Sequence, residues 1–489
     1  MLHQTTTLYA FETDAFEDTQ DLSLCLEEPV LDEDNPVVKP GAPGDPDDSK
    51  ICYTASVERC REGYGMWYQA EDRQGRHTRC FASSPDGFQW AKHGVVGDGI
   101  FNTLGNSFNV YNDGERFLAP LTSLGTDPSI DPAFAALRPQ DIPDSRRRSI
   151  AERGIAKSGR QGIPTFVGVA SSADGLQWEM PAPTPRLPMM LETPWICRFQ
   201  GRYIMNAQTH GSWFDPPVPG VRRVAFFTSD DLIDWTPHPA PMVNEAHEAI
   251  GGQAHVGIVP IKCIDDRLLI GLGGRFDDGS ELPDMHYGIT LLHSSNGLDW
   301  KPVVPSHERR NWIRRGRPGE WDVGGVAQMG MVENGDQAAV YYVGNQKGNG
   351  SHSLGMYDPG RFQVGRARFR RDRFAALQPS VRWKAIFPAT CERGARGTVT
   401  TRPISLSPDR PLALNVDIPS TGGSDAGAVN VELLGPGGAV IDAATIREGG
   451  IDKAVPLKRT PPEHPVRLRI TMTGACAPDR VPRLYAIRY

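Results

Sequence analysis

Four segments of the chain repeat one short pattern: Ser84-Pro85-Asp86-Gly87-Phe88-Gln89-Trp90, Ser172-Ala173-Asp174-Gly175-Leu176-Gln177-Trp178, Ser229-Asp230-Asp231-Leu232-Ile233-Asp234-Trp235 and Ser294-Ser295-Asn296-Gly297-Leu298-Asp299-Trp300. A side chain that bonds its own backbone, followed by a residue tolerant of positive φ, specifies a tight turn. The tryptophan then has a large apolar surface to bury against a neighbouring unit. Internal repetition of this kind restricts a chain to stacked or radially arranged units.

A second signal interleaves with the first. Turn residues followed by an aromatic or aliphatic strand occur five times: Glu62-Gly63 before Met66-Trp67-Tyr68, Asn112-Asp113-Gly114 before Phe117-Leu118, Gln200-Gly201 before Tyr203-Ile204-Met205, Asp265-Asp266 before Leu268-Leu269-Ile270, and Asn334-Gly335 before Val340-Tyr341-Tyr342. The first four lead into the four tryptophan boxes. The fifth leads into a basic segment ending at Arg373-Phe374, where Phe374 stands in for the tryptophan. Gly201 to Trp235 and Asp266 to Trp300 each span 34 residues, about the chain a four-stranded antiparallel blade needs. Five such units predict an all-β chain: a five-bladed β-propeller over residues 1–378. A radial arrangement is preferred over an open stack because it protects the sheet edges. The boxes then stop, and residues 379–489 read as alternating strands and turns, a β-sandwich.

Composition agrees with a turn-rich β protein, since glycine and proline supply 52 and 42 of 489 residues. A net charge of −7 argues against general nucleic-acid binding. No apolar run is long enough to span a membrane. The amino terminus lacks the basic start and apolar stretch of a secretory signal. The eight cysteines form no CxxC pair, which fits reduced thiols in a cytoplasmic protein; a disulfide from Cys52 to Cys60 or Cys80 is the alternative. No helical His-x-x-x-His array occurs, so no protein-ligated transition metal and no cofactor are expected, a calcium ion or water at the propeller axis being the alternative. Residues Asp127 to Gly162 form a Pro- and Arg-rich insertion in the second unit, expected at the funnel mouth or a subunit contact. Phe134, Leu137, Ile142 and Ile150 are its expected anchors, with Arg146 to Arg148 in solvent.

The Ser-x-Asp-Gly-x-x-Trp boxes, the Met66-Trp67-Tyr68 strand, and five blades with a trailing sandwich resemble the furanosidase-type glycoside hydrolases, the families of invertases, levanases, arabinanases and xylosidases. Gly319-Glu320-Trp321-Asp322, Arg370-Arg371-Asp372-Arg373-Phe374 and Thr400-Thr401-Arg402-Pro403 resemble bacterial family 32-like proteins more closely. This resemblance implies acidic residues at the starts of the innermost strands, one as base or nucleophile and one as acid. Carried onto this sequence, it points to Asp45 (or Asp47 or Asp48) in blade one and Glu192 in blade three. In blade four, where the family's acid motif is missing, it points to Glu248 or His255. In blade five, Asp322 would bind a sugar hydroxyl and Trp321 would stack on the ring. Asn106, Arg198, His210 and Arg275 are further candidates for binding substrate.

The implied activity is acid/base cleavage or transfer of a small glycoside or oligosaccharide. Because the usual Asn-Asp-Pro, Arg-Asp-Pro and Glu-Cys signatures are absent, a non-hydrolytic sugar-binding propeller or a histidine-dependent lyase is the alternative. Self-association as a homo-oligomer is left open.

Overall fold

The structure is a computed structural model. It describes residues 6–97, 108–123, 138–142, 165–179, 189–209, 223–239, 257–276, 287–305, 311–346, 362–380, 394–407, 410–419, 427–459, 464–475 and 480–489, with isolated positions 144, 145, 148, 149, 151, 152, 163, 187, 213 and 462. It is all-β, and the chain divides into two compact units.

The larger unit, residues 29–334 and 338–368, holds five antiparallel blades, of which the first and fifth join through one parallel pairing into an eight-stranded sheet. Blade one is Lys50–Arg59, Tyr64–Glu71, His77–Ser84 and Ala91–Val95. Blade two is Tyr111–Asn112, Phe117–Ser123 and Thr165–Ser172. Blades three and four run Glu192–Phe199 to Thr236–Pro237 and Ile258–Ile264 to Lys301–Pro302. Blade five is Gly325–Asn334, Gln337–Asn345 and Phe362–Arg370, with Val30–Leu31 as its outer strand.

Contacts link each blade to the next. The Val110 amide donates to Ser56 Oγ at 2.8 Å, and Asn109 Nδ2 donates to the Pro194 carbonyl at 2.8 Å. Asn206 bonds both the amide and the carbonyl of Ile258, and Gln328 Nε2 donates to the Gly257 carbonyl at 3.1 Å. Blade five returns to blade one through the parallel pairing of Gly330 with Val57. A Cβ at Gly330 would stand 2.9 Å from the Val57 carbonyl oxygen, so only glycine allows these inner strands to meet.

The tryptophan boxes make the turns read from the sequence. In the first, Ser84 Oγ accepts from the Gly87 amide, and Asp86 Oδ1 accepts from the amides of Phe88 and Gln89. The other three repeat this network with Ser172 and Asp174, Ser229 and Asp231, and Ser294 and Asn296. The fourth position is left-handed in every box, including Leu232 at φ 67°. Left-handed backbone costs a non-glycine residue about 1–2 kcal/mol. Burying the leucine among Leu118, Phe166 and Trp235 returns about as much or more. The box tryptophans fill seams between blades: Trp90 donates to Tyr341 Oη of blade five, and Trp235 meets Phe166 of blade two edge-on.

Two sequence expectations are corrected here. Residues 1–28 do not belong to the propeller. Thr7–Tyr9 pairs with Arg483–Arg488, Phe16–Gln20 with Ala395–Thr401, and Leu22–Leu26 with Ala375–Pro379. These strands complete a two-sheet sandwich with residues 369–489, around a core that includes Val399, Leu414, Val431 and Ile470. Phe374 does not fill a fifth tryptophan slot either. It packs on Tyr9 and Phe369 within the sandwich unit, and the outer position of blade five is taken by Val30–Leu31. That strand is fastened by Asp32, which pairs with Arg366 at 2.6 Å, and by Asn35, which bonds both backbone groups of Arg366.

Candidate functional site

In an antiparallel blade the inner strand starts where the second strand ends, so these positions share one end of the axis. Glu192 opens the inner strand of blade three opposite Gln208, whose Nε2 donates to Glu192 Oε2 at 2.7 Å. Thr193 follows in the left-handed region at φ 49°, and the strand pairing is interrupted between Glu192 and Trp195. The irregularity sets Glu192 off from the regular ladder, as bulges beside functional sites commonly do. In blade one the same place is held by Lys50, paired with Glu71 at 2.8 Å, with His77 Nε2 at 3.5 Å from the same carboxylate.

Blade five contributes a buried block. The Tyr342 hydroxyl donates to Asp322 Oδ2 at 3.2 Å, and Trp321 stacks on Tyr342 with ring centres 5.9 Å apart. A side chain at Gly344 would collide with both Trp321 and Asp322, so this glycine makes the room they occupy. Burial pushes the Asp322 carboxyl above its ordinary range, against the lowering effect of the Tyr342 bond.

The same end collects buried polar atoms that have no hydrogen-bond partner among the described residues. These are Ser49 Oγ of blade one, Asn109 Oδ1 of blade two, Thr209 Oγ1 of blade three, and Gln328 Oε1 and both amide atoms of Asn345 in blade five. Each lies at an inner-strand start or a second-strand end, except Gln328, which reaches back to Gly257 at the start of blade four. Folded proteins leave few such atoms unsatisfied, because each costs about 1–3 kcal/mol. This end therefore holds more hydrogen-bonding capacity than the described residues use.

The sequence candidates are distributed as follows. Glu192 and Asp322 stand at this end, half-buried and buried respectively. Asp45 is exposed and accepts from the Ala42 amide at 2.8 Å, closing its own loop. Asp47 and Asp48 are buried instead: Asp47 pairs with Lys92 at 2.6 Å, and Asp48 accepts from the Arg73 amide at 2.8 Å. Proline at position 46 divides the loop, so acidic neighbours in sequence take opposite environments.

Arg198 lies six residues beyond Glu192 on the same strand, about 20 Å away, and covers the Tyr203 ring at the other end of the blade. Trp321 is half-buried, with one face of its ring stacked on Tyr342. Asn106, His210, Glu248 and His255 lie outside the described residues, as does the side chain of Arg275. The unpartnered Asn109, Thr209, Gln328 and Asn345 escape sequence reasoning, because neutral amides and hydroxyls in a strand carry no motif.

Part of the insertion is described. Ile142 and Ala151 pack with Trp213, Ile163, Met189 and Met190, immediately before Glu192. Arg148 is not a solvated charge, since its Nε and Nη2 donate to the Ile142 carbonyl at 3.0 and 2.8 Å. Phe134, Leu137, Arg146, Arg147 and Ile150 lie outside the described residues.

No family model matches the chain, and no curated protein matches it. Among solved structures it is similar to one described for the GH130 family of mannoside phosphorylases and hydrolases, at 13% identity and a TM-score of 0.45, over 71% of this chain and 94% of that one. A glycosyl hydrolase from Bacteroides ovatus (13%, 0.43, 71% and 94%) and an α-L-arabinofuranosidase from Podospora anserina (9%, 0.44, 70% and 97%) are similar to the same extent. These structures include mannoside- and arabinoside-active proteins together, and at such identities they assign neither a substrate nor a residue to this chain. They do not single out the furanosidase-type families.

Proposed function

We propose that this protein is a glycoside-processing enzyme of the glycosidase type, working at the end of the propeller axis where the inner strands begin. The reading rests on one observation: buried atoms of Ser49, Asn109, Thr209, Gln328 and Asn345 that have no hydrogen-bond partner among the described residues gather at the end that holds Glu192 and Asp322. A sugar offers many hydroxyls that both donate and accept, which is what such a lining lacks. Cleaving a glycoside requires one carboxyl that holds a proton for the leaving oxygen and another that attacks the anomeric carbon or activates water. Burial favours the protonated form of Asp322, the state a general acid needs. Glu192, half-buried and steadied by Gln208, would serve as nucleophile or base.

A second reading, a sugar-binding propeller without turnover, has its own support in blade one. There Lys50, already paired with Glu71, stands where an attacking carboxylate is needed, and Asp45 faces solvent.

One experiment separates the two. Purified protein is screened against chromogenic furanosides and pyranosides and a panel of oligosaccharides, with thermal shift recorded in parallel. Turnover that Glu192→Gln abolishes without lowering the melting temperature supports the enzyme. Saturable thermal stabilisation by a sugar with no turnover supports the binding protein. Neither response overturns both.

A further inference from the structure

Blade five carries a line of hydrogen bonds from its third strand through Asn35 to Asp322. It starts at Arg366, whose amide donates to Asn35 Oδ1 at 2.8 Å and whose carbonyl accepts from Asn35 Nδ2 at 2.9 Å. The oxygen and nitrogen of a side-chain amide are told apart by their partners, so these two bonds fix which way Asn35 faces. Nδ2 has a second proton, and the Tyr342 hydroxyl lies 3.3 Å from it. That hydroxyl is in turn 3.2 Å from Asp322 Oδ2. Because Nδ2 can only donate, the Tyr342 oxygen accepts from it, and the one hydroxyl proton is left for Asp322.

We propose that Asn35 is a positioning residue for the acid of the glycosidase reading, acting through Tyr342: its amide directs the Tyr342 hydroxyl proton onto Asp322 Oδ2. The inference rests on that reading for the role of Asp322, whereas the direction of the bonds does not depend on it. The surroundings hold the tyrosine in place. Its side chain is fully buried and stacked on Trp321, and a Cβ at Gly365 would stand 2.7 Å from its oxygen.

The line has an electrostatic consequence. Burial raises the Asp322 carboxyl, and the Glu320 charge acts with it; the Tyr342 bond and the backbone amides of Asp322 and Gly316 act against it. Burial and the Asp322 charge push the Tyr342 phenol up, so it stays a donor. Asp32, the next carboxylate beyond Tyr342, is matched by Arg366 and Arg368. Arg315 and Arg317 flank Gly316, and Arg315 Nη1 donates to the Val323 carbonyl at 3.3 Å. With the line intact, Asp322 releases its proton more readily than burial alone would allow, and an acid must release one in every turnover.

The test follows the Asp322 carboxyl itself, by carbon-13 NMR of the full-length chain labelled at aspartate Cγ, with Asp322→Asn identifying its signal. Tyr342→Phe keeps the ring and removes the bond. The Asp322 titration midpoint should then rise by about one pH unit, the effect of one hydrogen bond to a charged group. Asn35→Ala should raise it by less, because the hydroxyl is then free to turn. In the Tyr342→Phe background the same change at Asn35 should do nothing, since its route to Asp322 is gone. A residue that only held the outer strand would act alike in both backgrounds. If the alanine variant does not fold, Asn35→Asp still accepts from the Arg366 amide but draws the hydroxyl to itself. It must raise the midpoint at least as far as Tyr342→Phe does.

The proposal is overturned if Tyr342→Phe leaves the midpoint in place, or if Asn35→Ala moves it equally with and without the hydroxyl. In a wild type that cleaves a glycoside, the alkaline limb of the pH–rate profile should move up with the midpoint, because the acid acts protonated. A limb that stays while the midpoint moves removes Asp322 as the acid and overturns the proposal. No turnover by the wild type, with midpoints that move as expected, defeats the glycosidase reading instead and leaves the hydrogen-bond line in place.

Discussion

Where the inner strands begin, the groups without a hydrogen-bond partner among the described residues are neutral: the hydroxyls of Ser49 and Thr209 and the amides of Asn109, Gln328 and Asn345. Where they finish, the lining of the pocket there carries charges: Lys262 and Glu333 pair with each other, while Glu58, Arg59 and Arg198 make no ion pair among the described residues. Both ends are made by the same ten-residue or shorter strands, so the difference lies in the side chains set at strand termini rather than in the backbone. Neutral orphan groups favour a neutral polyol, because a charged ligand would have to leave water without an opposite charge to meet. One scaffold thus sets neutral groups at one end of its inner strands and charged groups at the other.

That contrast can be broken in several places. The largest effect is expected from Glu192→Gln, which should lower turnover of any glycoside the wild type cleaves by about 10³-fold, within the range for removing an acid/base group. Its melting temperature should stay close to wild type, as seen by calorimetry. Unchanged turnover would move the chemistry away from this end.

Next comes the pH dependence of stability. The folded-state pKa of Glu58 lies near 8, above the value of about 4.3 for an unfolded chain. The native state therefore binds the extra proton, and its contribution to stability is full at acid pH and lost as pH rises toward 8. Urea denaturation at pH 5 and pH 8 should show Glu58→Gln gaining roughly 3 kcal/mol on wild type between the two, from about 1.4 kcal/mol per pH unit over that window. Equal slopes for the two proteins would place Glu58 in water.

A smaller change should follow Thr209→Val, which swaps a buried hydroxyl without a described partner for a methyl of the same shape. Stability should hold or rise by about 1 kcal/mol, while affinity for a sugar falls. A loss of stability would mean that the hydroxyl is satisfied within the fold. The smallest effect belongs to Asp45→Asn, where turnover should stay within about twofold, since exposed substitutions rarely exceed about 0.5 kcal/mol. A large loss there would return blade one's exposed loop to the site.

The repeat was readable because its turn is local. Ser84, Asp86 and Gly87 complete their hydrogen bonds within six residues, so the pattern alone defines the geometry. The amino-terminal strands were not, because Thr7–Tyr9 meets Arg483–Arg488 across nearly the full length of the chain, and three residues carry no period. Asp322 and Glu192 were legible as acidic residues beside strand starts. Asp45 could not be told from Asp47 and Asp48, because three carboxylates within four positions look alike in sequence, while the fold buries Asp47 and Asp48 and leaves Asp45 in solvent. Glu58 gave no signal, since Val57-Glu58-Arg59 reads as a strand running out into water, while the fold half-buries Glu58 beside Tyr111, Val259 and Lys262.

The interleaving of the two chain ends governs the order in which the molecule can be assembled. During synthesis the emerging residues 7–26 find no partners, because their sheets await residues 375–379, 395–401 and 483–488. Blade five likewise waits with its edge open until residues 362–370 arrive to receive Val30–Leu31. Blades two to four can form on the ribosome as they appear, whereas the strands within residues 7–31 must be carried unpaired until residues 362–488 have been made. Their length in that state is a hazard of mispairing with neighbouring chains. A ribosome stalled before the last strand would release a nascent chain with an exposed β edge, ready for capture by a chaperone or by another copy of itself.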